Sequence, residues 1–247
     1  MRGALVRSDC GARLTETGLY SMQIGLIGGI GPAATDYYYR RLISNFASRR
    51  EPLEMTIAHA DTPTLLSNLE ENDIESQVRI YNRLTNRLAL AGAECVVVTS
   101  IAGHFCIDAF KERSPLTVID LLREVDEAIS QRRLERVGIL GTRTVMQTHF
   151  YSGLSRAEVI TPKGNALDEV HTAYVSMAAA GRVSDDQRAV LDAACDWFIK
   201  EAKVDAVMLG GTDLALVYPE EESRFPVVDC AAIHVDAITR YATNASE

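Results

Sequence analysis

The segment Ala93-Glu94-Cys95-Val96-Val97-Val98-Thr99-Ser100 is an aliphatic, β-branched run that breaks into small polar residues. A parallel strand buried on both faces has this composition, and the small polar residues mark its carboxyl end. Val204-Asp205-Ala206-Val207-Met208-Leu209-Gly210-Gly211 repeats the pattern in the second half of the chain. Each has an opening partner upstream: Ile24-Gly25-Leu26-Ile27-Gly28-Gly29 before the first and Val137-Gly138-Ile139-Leu140-Gly141-Thr142 before the second. Matched strand ends of this kind predict a duplicated α/β unit. The expected fold is two similar Rossmann-like α/β domains with parallel sheets, related by pseudo-symmetry, with the active-site cleft between them. Ser100 and Gly211 then hold equivalent positions and face one another.

Outward from these strands, helical and extended patterns alternate. Gln23 to Gly29 reads as a strand, followed by the turn Gly29-Ile30-Gly31-Pro32 and a helix from Ala33 through Phe46. The glycine order is G-x-x-G-G-x-G, which is not the dinucleotide fingerprint. The turn instead suits backbone N–H groups at a helix start meeting a small anion. Glu54 to Ala60 forms a strand, and Ile74, Val78, Tyr81, Leu84 and Leu88 fall on one helical face. Pro115 to Asp120 and Leu121 to Arg133 read as strand and helix. The second half gives Val137 to Leu140, a helix through Met146 and Phe150, and a strand near Val159. Helices about Ala166 to Ala180 and Ser184 to Lys200 are parted by Gly181 as a helix stop. Pro226 to Val228 and Cys230 to Tyr241 close the chain. The expected division is a leader at 1–21, a first domain at 22–118 plus 225–247, and a second at 119–224.

A chain of 247 residues with 47% hydrophobic content can bury one or two α/β cores. Its net charge of -9 argues against a nucleic-acid partner. Five cysteines without a CxxC suit a reducing compartment, hence the cytoplasm. No apolar run reaches membrane-spanning length, and the leader lacks the apolar core of a signal peptide. The histidines show no metal-ligand spacing, so no metal is expected.

Gly28-Gly29-Ile30-Gly31-Pro32 with Asp36-Tyr37-Tyr38 resembles the opening of the aspartate/glutamate racemases. Gly141-Thr142-Arg143 with Met146 and Phe150-Tyr151 is similar to their second-half turn, and Leu209-Gly210-Gly211-Thr212-Asp213-Leu214 to their G-C-T-E-L motif. Pro226-Val227-Val228-Asp229 with Ala231-Ala232-Ile233-His234 resembles their closing strand and helix, so the likeness runs from about Met22 to Tyr241. It implies cofactor-independent racemisation of an amino acid by two cysteines on opposite faces of the substrate, in a homodimer. A thiol suits that work because its pKa is readily lowered toward neutrality.

In this chain the first cysteine of the motif is Ser100, four residues before His104, and the second is Gly211. Ile101 and Ala102 stand where the family has asparagine and threonine to seat the α-carboxylate, and Thr64-Leu65 where aspartate racemases place an arginine. Ser100 reads as a proton relay, a nucleophile or a plain hydroxyl closing a strand. Thr99 is expected to point into the sheet. His104 either orients Ser100 or bonds structurally. Cys106 reads as packed rather than as a displaced catalytic thiol, and Cys95, Cys195 and Cys230 as core. Asp213 is a carboxylate base or a supporting acid. The expected substrate-binding set is Ile30, Gly31, Ile101, His104, Thr142, Arg143 and Thr212, with Arg143 alternatively a surface or capping residue. Gly211 is expected to widen one wall for a bulkier substrate. Two readings follow. One is an isomerase or related proton-transfer enzyme acting on a small carboxylate or amino acid without cofactor. The other is a silent relative that binds such a ligand.

Overall fold

The computed structural model describes residues 22–29 and 32–244. The leader at 1–21 and the candidate residues Ile30 and Gly31 lie outside them.

Strand β1 (Gln23–Gly28) leads to α1 (Pro32–Arg49), β2 (Glu54–His59), α2 (Thr62–Glu70), α3 (Ile74–Leu90) and β3 (Cys95–Val98). A 3₁₀ turn (Ala102–Cys106), α4 (Ile107–Arg113), β4 (Thr117–Val118) and α5 (Leu121–Gln131) follow. The second half runs β5 (Arg136–Gly141), α6 (Arg143–Gln147), β6 (Glu158–Ile160), α7 (Asn165–Ala180), α8 (Asp185–Lys200) and β7 (Ala206–Gly210). A second 3₁₀ turn (Thr212–Leu216), β8 (Val227–Asp229) and α9 (Cys230–Asn244) complete it.

The two sheets have the same wiring, β2-β1-β3-β4 and β6-β5-β7-β8, with every strand pairing among the described residues parallel. The expected duplication is therefore present strand for strand. In each sheet the chain leaves the first strand to one side and returns on the other, and ligands of open parallel sheets bind beyond the carboxyl ends at that reversal. The segments after β1, β3, β5 and β7 accordingly carry the candidate residues.

The central strands β3 and β7 are buried at every position. On one face of the first sheet, Tyr38, Leu42 and Phe46 of α1 pack with Val235, Ile238 and Ala242 of α9 over Ile24 and Leu26. A second cluster runs without interruption from Val78, Tyr81 and Val96 of the first half to Val137, Leu140 and Met208 of the second. The closing elements contact both halves: β8 pairs with β7 in the second sheet, while α9 packs on α5 and on α1.

Local chemistry explains most boundaries. Asp61, Asp73, Asp120 and Ser184 cap α2, α3, α5 and α8 through their side chains, Ser184 in a reciprocal capping box with Gln187. Gly181 ends α7 in the left-handed conformation, as expected. Helix α2 was not anticipated, although Asp61 followed by Thr62-Pro63 is a helix-start signature. The helix expected through Met146 and Phe150 stops at Gln147. There the Thr148 hydroxyl donates to Thr144 O at 2.7 Å and accepts from Tyr151 N at 3.1 Å. His149, Phe150, Tyr151 and Ser152 then form a left-handed turn, with φ of 49, 59, 56 and 55°. No right-handed continuation was followed because this turn carries Phe150 into full burial.

Candidate active site

The first strand end is built from hydroxyls. Gly29, at φ +98°, turns the chain out of β1, and its N–H donates to Thr35 Oγ1 on α1 at 2.9 Å. Thr35 Oγ1 lies 3.4 Å from Thr99 Oγ1, which bonds Ile27 O at 3.2 Å. Thr99 thus points into the sheet, fully buried.

Past Ser100 the backbone carbonyls are tied down by side chains. His104 Nδ1–H donates to Ser100 O at 2.7 Å, Tyr151 OH to Ala102 O at 3.2 Å and Tyr81 OH to Gly103 O at 3.0 Å. Cys106 Sγ also lies on Gly103 O. In contrast, the N–H groups of Ser100, Ile101 and Ala102 meet no backbone acceptor among the described residues. Ser100 is 6% and Ile101 2% exposed, and buried N–H groups are rarely left bare. Successive free amides at a strand end are the kind of group that can bind an anion.

His104 bonds the backbone carbonyl of Ser100, not its hydroxyl. Of the two readings left open, the structure supports the structural one. Ser100 Oγ has no hydrogen-bond partner among the described residues, so nothing there activates it. Burial holds His104 below the usual histidine range, keeping it neutral, and its Nε2 has no partner among the described residues. It stacks edge-on to His234, 6.0 Å between ring centres. His234 accepts from Tyr38 OH at 2.8 Å and donates to Ile119 O at 2.9 Å.

The second strand end differs. A Cβ added at Gly211 would fall inside the van der Waals envelope of Tyr174, against Cζ and Oη. Gly211 therefore does not widen the wall: the α7 phenol fills the place a side chain would take. Tyr174 OH donates to Asp213 Oδ2 at 3.4 Å. Burial raises the Asp213 carboxyl above the usual carboxylate range, opposed by its own backbone N–H and by Tyr174. Burial and the Asp213 charge push the Tyr174 phenol far above its ordinary value, so it stays protonated. Thr212 is buried beside them, and no backbone acceptor among the described residues meets the Gly211 or Thr212 N–H.

Thr142 caps α6, its hydroxyl accepting from Val145 N at 3.3 Å. Arg143 is exposed. Its N–H donates to His171 Nδ1 at 3.1 Å, and its guanidinium pairs with Asp168. A substrate carboxylate at Arg143 would share the guanidinium with Asp168 or compete with it. The thiols of Cys95, Cys106 and Cys195 are all pushed up to about 12 by burial, and Cys230 is raised further. These buried thiols are packing groups, as expected for core cysteines. No three His, Cys, Asp or Glu side chains cluster as metal ligands among the described residues. No described helix is long and apolar enough to cross a membrane.

The sequence places Tyr81 on an apolar helical face and Tyr151 in a family-like motif without a site role for either, and Tyr174 is not singled out. Tyr174 shares the buried stripe of α7 with Val170, Ala173 and Met177. A tyrosine on such a stripe needs a partner for its hydroxyl, and that was the available signal.

The halves touch at these strand ends. Tyr151 of the second half bonds the 102–106 turn of the first, and the 212–216 turn packs on α1. Tyr37 OH donates to Asp229 Oδ2 at 2.8 Å. A Yersinia pestis structure provisionally described as an Asp/Glu racemase superposes with TM-score 0.78 at 24% identity, covering 90% of this chain and 99% of that one. An aspartate racemase homologue from Pyrococcus horikoshii gives 0.75, also at 24% identity and over the same shares. The Francisella tularensis glutamate racemase, solved with D-glutamate, gives 0.62 at 16% identity, covering 91% and 82%. At these identities the likeness is one of fold, two α/β halves with a cleft. The sequence model of the Asp/Glu/Hydantoin racemases matches residues 27–238, and this chain belongs to that family.

Proposed function

We propose that the chain is a cofactor-independent isomerase or related proton-transfer enzyme that holds a small carboxylate, such as an amino acid, between its halves. The observation that carries this reading is the set of N–H groups at Ser100, Ile101 and Ala102, beyond the carboxyl end of β3, that meet no backbone acceptor among the described residues. They suit the substrate's α-carboxylate, and the equivalent Gly211 and Thr212 amides suit a second acceptor. Binding there places the α-carbon beside the Ser100 hydroxyl. The carboxylate, held by N–H donors, spreads the charge left when the α-proton departs. Ser100 serves as a hydrogen-bond or proton donor, because an unactivated hydroxyl is a poor base. Thr142 lies at the equivalent turn after β5 in this reading. The assembly is a homodimer.

The test is deuterium uptake at Cα from D₂O by separate L- and D-amino acids. Uptake that is lost in Ser100→Ala supports the reading. A second reading, a silent relative that binds the ligand, is favoured by the missing activator at Ser100 and the buried thiols. Tight binding with no uptake would establish it.

A further inference from the structure

We infer that Tyr174 and Asp213 form the proton-transfer unit on the substrate face opposite Ser100, in the space vacated by the side chain missing at Gly211. This rests on the proton-transfer reading above. Two independent observations support it. First, the Tyr174 phenol oxygen sits against the position of a Cβ at residue 211, so the phenol takes the volume a side chain from that strand end would need. Second, that hydroxyl is hydrogen-bonded to a buried carboxylate whose residue also lines a cavity. That cavity, of about 150 Å³, is lined by Asp213 with Met177, Arg182, Val183 and Leu216, and Tyr174 is not among its lining residues.

The step balances without a cofactor. The substrate Cα–H bond breaks and its electron pair passes into the carboxylate as an enediolate. Tyr174 Oη takes that proton while its own passes to Asp213 Oδ2. Phenol is re-formed, and the net proton rests on Asp213 as a carboxylic acid. Reversal returns a proton to the same face, after the Asp213 proton has exchanged with water through the cavity. Tyr174 is the group that touches substrate. Asp213 acts through it, with Arg182 the charged group facing the same cavity. A buried carboxyl held above its usual range takes up a proton more readily than a solvated one, which suits it to alternate between base and acid.

The experiment is Cα deuterium uptake from D₂O, followed by proton NMR on separate L- and D-enantiomers of aspartate, glutamate, lysine and methionine. Wild type, Tyr174→Phe, Asp213→Asn and Asp213→Glu are compared, with ligand binding measured by calorimetry. The expected result is uptake by at least one wild-type enantiomer that falls about 100-fold or more in Tyr174→Phe and Asp213→Asn, with affinity held within about threefold. Asp213→Glu restores part of it with a shifted pH profile, which a merely structural role would not move. Should Tyr174→Phe not fold, the Asp213 pair carries the same expectation. Wild-type uptake that survives both Tyr174→Phe and Asp213→Asn overturns this inference and leaves the proposed function standing. No wild-type uptake from any of these substrates overturns both.

Discussion

The phenol of Tyr174 occupies the volume that any side chain at Gly211 would need. One residue lacks a side chain and another, far away in sequence, supplies one. Reintroducing a thiol by Gly211→Cys should therefore overpack the site, costing about 1–3 kcal/mol. For a chain of this size that is a fall of several degrees in melting temperature. The double variant Gly211→Cys with Tyr174→Ala should recover most of the loss. Differential scanning calorimetry of the four proteins in the cycle reads the coupling directly. Additive losses would show that the two positions do not compete for space.

The 102–106 turn is held by phenols from two different places, Tyr81 on α3 and Tyr151 beyond α6. Each Tyr→Phe change keeps the ring and removes one bond to a backbone carbonyl, at a cost of about 1 kcal/mol. Tyr151→Phe also releases a link between the halves. Amide hydrogen exchange at residues 102–106 should accelerate in both variants, and at the 149–152 turn only in Tyr151→Phe. Unchanged protection in the 102–106 turn would mean that its order comes from elsewhere.

The repeated strand ends were legible because a buried parallel strand needs apolar residues on both faces and small residues where the chain leaves it. That is why Cys95–Val98 and Ala206–Gly210 could be placed, and with them the matching strand order of the two sheets. The amides of Ser100, Ile101 and Ala102 were legible as a position but not as chemistry, since a backbone donor has no letter in the sequence. Tyr174 was hidden for another reason. Its partner at Gly211 is an absence, and the register that brings helix α7 over the end of β7 is a tertiary fact. The left-handed turn at 149–152 was hidden because none of its residues is glycine or asparagine, so local propensity points the wrong way.

His104 and His234 make stability sensitive to mild acid. Burial pushes His234 down to about 3, with His104 nearby adding to the effect, and His104 is lowered in the same direction. In the unfolded chain both titrate near 6.5. Below that pH the unfolded state binds protons that the folded state refuses, so stability is full above about 6.5 and falls as pH drops toward 3. The raised Asp213 carboxyl works in the opposite sense and offsets part of the loss. The lowered Asp120 carboxyl adds its own loss only at lower pH. Urea unfolding at a series of pH values should show a decline on the order of 1–2 kcal/mol between pH 7 and 5. His234→Gln should be less stable at pH 7 and show a flatter profile. A flat wild-type profile across this range would contradict the neutral, buried state of the pair.

The four residues from His149 to Ser152 hold a backbone region that costs a non-glycine residue roughly 1–2 kcal/mol each. The cost is sustained because Phe150 is fully buried and Tyr151 reaches across to Ala102 O. His149 and Ser152 are exposed, so their side chains contribute little to that compensation. His149→Gly removes the steric penalty and retains the bond from the residue 149 N–H to Met146 O at 3.0 Å. Glycine loses more chain entropy on folding, which takes back part of the gain. The net expectation is a stabilisation of about 0.5–1 kcal/mol, read from the denaturant midpoint at unchanged slope. His149→Pro should do the reverse, since its ring fixes φ near −65° and removes that N–H. If His149→Gly weakened the protein instead, the left-handed turn would not be the conformation the folded chain adopts.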